Sequence, residues 1–485
     1  MRFYKRQSEL KNLQRWTDTA HHQYSQLTMM VGRRRVGKTT LLKQAFEGKN
    51  VVYLFVSRKA EPLLAEEFTE QIKAQLDLPI YGQPDLLKAI LEILLTYAKS
   101  NPITVIMDEF QDIQKVNASF FSDMQNLWDS HRLDARMHLI CCGSLYSMMT
   151  HLFQNSKQPL FGRADHRINL QPLKPTFIKA MMSDHGCFSP ETLLEWYCFS
   201  GGIPKYLEWL VQCDPKQSLW PQLIDEFSLT LEEGKYRLTE EFGREQSNYF
   251  SILSAIASGK TSRSDIESML QYSVGPQLKK LEEEFDIIER IVPILSKSGG
   301  RMVKYQIKDA FLNFWFRYIH KNQSSVEVGN LLYVQQVIER DFEQYSGAWL
   351  ERLFKSILAE SGEYNQIGTY WEKGNQNEID IVAVNDSNKQ VVFIEVKRNI
   401  KRYSKTQLIA KLATVSLNQS LHPEVRPYML RNSDEKPNSL KLIGAVERGD
   451  LILFIWKANR RRSPAMTGAS NFFSLSFGYM YFINF

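Results

Sequence analysis

The 485-residue sequence is poor in several things that would narrow its class at once. It has five cysteines, Cys141, Cys142, Cys187, Cys198 and Cys213, with no CxxC pair and no Cys/His zinc spacing. This excludes a disulfide scaffold and a structural zinc module, and fits buried thiols in a reducing compartment. No apolar run approaches the roughly 20 residues that a bilayer span needs, so no membrane partner is expected. The opening MRFYKRQSEL turns polar early and carries no apolar core, so no secretory signal is expected and a cytoplasmic location is. A dominant charge of one sign is missing too: 60 Lys+Arg against 54 Asp+Glu leave +6. That surplus permits nucleic-acid contact without arguing for it, because a dedicated binding domain clusters its basic residues on one face. There is no internal repeat and no low-complexity segment. With 43% hydrophobic residues, 24 Gly and 17 Pro, disordered, collagenous and fibrous classes are excluded.

What the chain does have is a pattern that changes along its length. Short β-rich runs at 27–31, 51–56, 104–107, 138–142 and 167–170 alternate with helical patterns at 39–46, 63–76, 84–98 and 120–130. That alternation predicts a parallel α/β sheet. The periodicity then divides the chain into a core at 1–172, a helical lid at 173–247, a compact unit with an aromatic segment at 248–338, a second α/β unit at 339–458 and an irregular tail at 459–485. The tail ends in an aromatic-rich stretch, 472–485, that follows none of the expected patterns.

Residues 32–39 read GRRRVGKT, a full match to GxxxxGK(S/T), directly after the first β-run and opening the helical TTLLKQAF. Small residues at Gly32 and Gly37 let successive backbone N–H groups curl around phosphate oxygens at a helix N-terminus. Lys38 can reach the β- and γ-phosphates of ATP, and the Thr39 hydroxyl can hold Mg²⁺. Gly32, Val36, Gly37, Lys38, Thr39 and Thr40 are the candidate nucleotide-binding residues. Arg33, Arg34 and Arg35 read as solvated side chains of a basic loop, with phosphate or a neighbouring protomer as the alternative contact. An independent motif, TVIMDEF, ends a second apolar β-run with Asp108 and Glu109. A carboxylate at Asp108 can help place the metal, and Glu109 can orient the attacking water as base.

Together, GRRRVGKTTLL, VIMDEFQDI, GSLYSMM and PLFGRA resemble the archaeal-type ATPase family, part of the STAND branch of AAA+-like P-loop NTPases. The resemblance implies a P-loop sheet with a helical lid, and ATP with Mg²⁺ as cofactors. It also implies that Arg6 and Glu9 of FYKRQSELKNL form the RxxEL box near the base, and that Ser144 is the sensor-1 residue. Arg163 of FGRA becomes the candidate charge-stabilising arginine, with a plain structural salt bridge as the alternative. Pro204 of GGIPKYL falls in the Gly-x-Pro segment that contacts the nucleotide base.

Residues 249–307 read as a winged helix-turn-helix. An amphipathic YFSILSAIA is followed by TSRSDIESML, capped by Ser262 or Ser264, and by a third helix with Leu278, Leu281 and Phe285 at helical spacing. A hairpin turning at Ser298, Gly299 and Gly300 follows, with Val303, Tyr305 and Ile307 alternating on one face. Lys279 and Lys280 of the third helix are offset by Glu282, Glu283 and Glu284, while the wing carries Lys297, Arg301 and Lys304. DNA contact and a purely structural coupling unit both stay open. The aromatic KDAFLNFWFRYIHKN at 308–322 reads as one helix.

Past a helix expected at 345–360, β-runs at 379–384 and 391–396 carry Asp380 on the first and Glu395 and Lys397, two apart, on one face of the second. Two carboxylates and a lysine converging there can bind a divalent metal and activate water against a phosphodiester. The arrangement resembles the PD-(D/E)XK nuclease core, a restriction-endonuclease-like α/β fold, with Ile379 standing where the pattern has Pro. The resemblance implies Glu351, Asp380 and Glu395 as ligands of Mg²⁺ or Mn²⁺, Glu395 and Lys397 as catalytic groups, and Gln407 assisting from a helix near 405–417. The combined expectation is a Mg²⁺-dependent ATPase whose nucleotide state controls a winged helix and a nuclease-like domain acting on DNA. The alternative is an ATP-driven signalling switch, read by a protein partner or a second copy, or a DNA-binding regulator with an inactive nuclease-like domain.

Overall fold

The apolar run QLTMMV is buried at every position because it forms the interior of a sheet covered on both faces. Leu27, Met29 and Val31 join one apolar cluster, while Met30 joins Ile106 and Ile140 in another. In this computed structural model, which describes residues 6–242, 246–294, 302–375, 377–387, 390–398, 441–445 and 452–459, the chain divides into two units. The first holds residues through Pro172 with Ile203–Lys205 and Lys279–Asp286, and the second holds the rest.

The first unit is built on strands β1 (Gln26–Val31), β2 (Val51–Phe55), β3 (Ile103–Asp108), β4 (Met137–Gly143) and β5 (His166–Asn169), in the order β2-β3-β4-β1-β5 with every pairing parallel. The pleat that splits Leu139 from Ile140 also sends Cys141 and Cys142 to opposite apolar clusters, and burial pushes both thiols up. Cys198 is buried as well, but Cys187 and Cys213 are half-buried, so the expectation of buried thiols holds for three of the five. Helix Gln7–His22 is pinned to this sheet through a polar contact in the core. The Thr17 hydroxyl donates to the Leu13 carbonyl at 2.8 Å, so it accepts from His138 Nδ1, and Nε2 accepts from the Thr28 hydroxyl, both at 2.8 Å. The imidazole is neutral, its pKa pulled down to about 3 by burial.

In the second unit, helices Pro175–Asp184, Pro190–Ser200, Leu219–Leu223 and Thr230–Phe242 bear out the helical expectation, with no strand among the described residues of 173–242. Helices Gln246–Ala257, Arg263–Leu270 and Gly275–Glu283, the last counted with the first unit from Lys279 on, then precede an antiparallel hairpin, β6 (Ile288–Ile291) with β7 (Lys304–Ile307). Ser262 rather than Ser264 caps the second of these helices, accepting from the Asp265 N–H at 3.1 Å. The expected turn at 298–300, and Lys297 and Arg301, lie outside the described residues.

Two expected helices differ from their sequence reading. The aromatic segment is an α-helix at Ala310–Phe314 that widens into a π-turn at Trp315–Ile319 and tightens at His320–Asn322. The widened turn accompanies burial of Trp315, Phe316, Tyr318 and Ile319. It also lets Arg317 reach Asp341 through two hydrogen bonds of 2.6 and 2.9 Å. The helix expected at 345–360 runs from Leu331 to Ser361, straight through the expected boundary at 338/339. No proline interrupts it; Asn330 caps its start and Gly362, at φ 66°, ends it. Beyond it lies a second sheet of β8 (Gln366–Tyr370), β9 (Ile379–Asn385), β10 (Gln390–Lys397), β11 (Lys441–Ala445) and β12 (Ile452–Asn459). Its order is β11-β12-β10-β9-β8, antiparallel throughout. The helix near 405–417 with Gln407, and residues 460–485, fall outside the described residues. No described helix is long and apolar enough to cross a membrane.

Candidate active site

The loop between β1 and helix Lys38–Ala45 is shaped by two left-handed residues, Arg35 at φ 70° and Gly37 at φ 92°. Arg35 carries a Cβ into this region, a strain of order 1 kcal/mol of the kind that collects at functional sites. Gly32 has no room for a side chain, since a Cβ would sit 2.9 Å from the Leu170 carbonyl oxygen and 3.0 Å from Val36 Cγ1. Val36 is buried beneath the loop, whereas Thr40 is exposed on the first turn of the helix. Lys38 is 8% exposed and bends its ammonium back to the Gly32 carbonyl at 2.8 Å and the Arg33 carbonyl at 3.5 Å. Burial pulls the Lys38 pKa down against the opposing fields of Glu109 and Asp108.

At the end of β3, Asp108 and Glu109 serve different neighbours. Asp108 Oδ2 accepts from the Thr39 hydroxyl at 3.4 Å and from the Tyr53 hydroxyl, while Oδ1 accepts from the Glu109 N–H at 3.0 Å. Burial, then Asp108, push the Tyr53 pKa up, so the phenol stays a donor. Glu109 is itself left-handed, at φ 53°, which turns its carboxylate toward the next strand. There Oε2 accepts from Ser144 Oγ at 2.7 Å and Gln111 Nε2 at 2.5 Å. The sequence reading missed Tyr53 and Gln111. Nothing local marks Tyr53; Gln111 had a weak signal, an uncharged polar residue two after Glu109 in the buried turn Phe110–Asp112.

Arg6 backs the loop: its Nη2 donates to the Val36 carbonyl at 3.2 Å and the Gln171 carbonyl at 2.8 Å, and Nη1 meets Glu9 at 3.5 Å. Pro204 lies beside the loop, its Cγ 3.7 Å from where a Cβ on Gly37 would be. Arg163 does not join this cluster. Its guanidinium is held by Asp129 at 2.9 Å and by the Phe161 carbonyl at 2.8 Å, an arrangement that matches the structural salt bridge.

Thr39 and Asp108 suit Mg²⁺, which commonly takes one or two protein oxygens and completes its shell with phosphate and water. The C-terminal site is different. Lys397 bridges Asp380 Oδ2 at 3.0 Å and Glu395 Oε1 at 3.1 Å, and the Val396 N–H also donates to Asp380 Oδ2 at 2.7 Å. Burial opposes the Lys397 charge, yet Asp380 and Glu395 together hold its pKa above the usual lysine range. Glu351 lies near them electrostatically; burial, with Asp380 adding, holds its carboxyl well above the usual range. It faces Lys355 at 3.9 Å. Among the described residues, no group of three or more His, Cys, Asp or Glu could hold a metal ion. The expected ligand set of Glu351, Asp380 and Glu395 is therefore not assembled as a metal cage, because an ammonium stands between two of its members.

Residues 3–210 match the family described as an ATPase domain predominantly from Archaea, and residues 315–408 match a family of archaeal and bacterial proteins of unknown function. An uncharacterised protein of Methanocaldococcus jannaschii is 30% identical over 436 residues, covering 84% of this chain and 92% of that one. A Walker-type ATPase of Pyrococcus abyssi is 19% identical with a TM-score of 0.49, over 65% of this chain and 96% of that one. The ORC2 protein of Aeropyrum pernix is 17% identical with a TM-score of 0.45, over 67% and 94%. The family match spans the parallel sheet, the phosphate loop and the Asp108–Glu109 strand end, and the chain belongs to the archaeal-type P-loop ATPase family.

Proposed function

We propose that the chain is a Mg²⁺-dependent ATP hydrolase working as a nucleotide switch. The observation that carries this reading is the convergence of Lys38, Thr39, Asp108, Glu109, Ser144 and Gln111 around one loop. Lys38 exchanges its loop carbonyls for the β- and γ-phosphates, a partner that favours its charged form. Thr39 and Asp108 hold the cation, which supplies neutralisation of developing phosphate charge. Glu109 accepts the proton of the attacking water, and Ser144 with Gln111 fixes the carboxylate that does so. Arg6 braces the loop from behind, and Pro204, first residue of helix Pro204–Gln212, borders the nucleotide. A protein partner or second copy reads the change of nucleotide state.

A second reading adds DNA engagement by the C-terminal unit. It rests on the likeness of Asp380, Glu395 and Lys397, on one face of adjacent strands, to the nuclease core. No cleavage step is drawn through a metal there, since Lys397 neutralises the pair. The test is ATP turnover with and without DNA, run beside a cleavage assay in Mg²⁺ and Mn²⁺ on one preparation. Turnover that is lost in Lys38→Ala supports the switch, and turnover indifferent to Lys38→Ala sinks it. Metal-dependent cleavage that disappears in Glu395→Ala and Lys397→Ala would make the C-terminal unit a nuclease.

A further inference from the structure

A cleft of about 750 Å³ lies within the second unit, walled by the β6–β7 hairpin, helix Leu331–Ser361 and β8. Its size is that of a small-molecule site. Among the described residues its charged lining is unequal: Arg290, Lys308, Arg352 and Lys355 stand against Glu289. Glu289 is already engaged, accepting from Gln306 Nε2 at 2.5 Å. Arg352 and Lys355 are three apart on one helix, so they present one face. Lys355 donates to the Thr369 hydroxyl and lies 3.9 Å from Glu351. Arg352 lies over the Trp349 ring at 4.3 Å and donates from Nη1 to the Ile307 carbonyl at 2.9 Å, and it makes no ion pair among the described residues. A guanidinium offers five N–H donors in a rigid fork, so one carbonyl leaves most of that fork unused. Burial pulls the pKa of both Arg352 and Lys355 down, against the opposing fields of Glu289 and Glu351.

We infer that this cleft is an anion site for a phosphate-bearing ligand, separate from the phosphate loop. Stacking on Trp349 holds the Arg352 fork in place before any ligand arrives, and the bidentate geometry of that fork matches phosphate oxygens. The Arg352 fork, with exposed Arg290 beside it, suits a dianion or a chain of phosphates better than a lone carboxylate. The volume accommodates a nucleotide-sized phosphoester, and the same chemistry is offered by a free small molecule or by a nucleic-acid backbone.

The test uses the full chain carrying Lys38→Ala, which silences the phosphate loop. Inorganic pyrophosphate is titrated by calorimetry and a short single-stranded oligodeoxynucleotide by fluorescence anisotropy. At least one probe should bind, with affinity about tenfold lower in Arg352→Gln, the loss expected for a charge-assisted hydrogen bond. Arg290 is exposed, so Arg290→Ala keeps the fold and should weaken binding a few-fold even if Arg352→Gln melts early. Pyrophosphate binding alone assigns a free phosphate ligand; oligonucleotide binding alone assigns a nucleic-acid backbone. No binding of either probe, or binding unchanged by both substitutions, overturns the inference.

Discussion

Gln111 is 1% exposed and spends its amide N–H on Glu109, while its Oε1 is buried without a partner among the described residues. An amide kept at that cost serves geometry. With Ser144 it fixes one oxygen of Glu109, a residue already held in a left-handed conformation. Gln111→Ala should lower kcat about tenfold while leaving ATP affinity within about twofold, because the loss falls on positioning of the base and not on phosphate contacts. Equal losses in kcat and affinity would make Gln111 a structural support of the whole loop. Lys38, Thr39, Asp108 and Glu109 were legible as candidates in the sequence because the loop pattern is contiguous and the acidic pair ends a strand. Tyr53 was not, since it reaches Asp108 only through the β2–β3 pairing, 55 positions away in sequence.

The elements that carry these residues are held by close packing at their ends. Gly143 closes β4, and a Cβ there would fall 2.4 Å from Met149 Cγ and 2.5 Å from Gln111 Oε1. Gly143→Ala should therefore destabilise the fold by about 1–3 kcal/mol, read as a lower urea midpoint, and displace Gln111 in the same stroke. An unchanged midpoint would show that this strand end has slack. Helix Gln7–His22 supplies a pH-dependent counterpart through His138. The folded-state pKa of about 3 lies below the ordinary histidine value, so its contribution is present above pH 6.5 and is lost as pH falls toward the folded value. Between pH 7 and pH 5 this one group should remove roughly 2 kcal/mol of stability. His138→Gln should flatten that slope in denaturant melts, and a slope equal to that of the natural chain would contradict the assignment. The five parallel strands were readable from alternating apolar runs, as were the helices of 173–242. The π-turn was not, because burial of Trp315, Phe316 and Tyr318 depends on contacts distant in sequence, while the cap that starts the helix through 338/339 is local, Asn330 accepting from the Tyr333 N–H, and was passed over in the sequence.

At the scale of the whole molecule, the near balance of charge conceals local inequality. The +6 of the chain is spread over a phosphate loop with three arginines, a C-terminal ion-paired face and a cleft with four cations against one carboxylate. The carboxylate–lysine pattern was legible as residues on one strand face. Its state was not, because only the fold brings Lys397 between Asp380 and Glu395. The central claim is that binding and hydrolysis of ATP are divided between Lys38 and Glu109. The most direct measurement is steady-state ATP turnover in Mg²⁺ by Glu109→Gln beside the natural chain, with ATP binding measured on the same preparations. The account predicts retained binding with turnover reduced about 100-fold or more. Turnover undiminished in Glu109→Gln would contradict it.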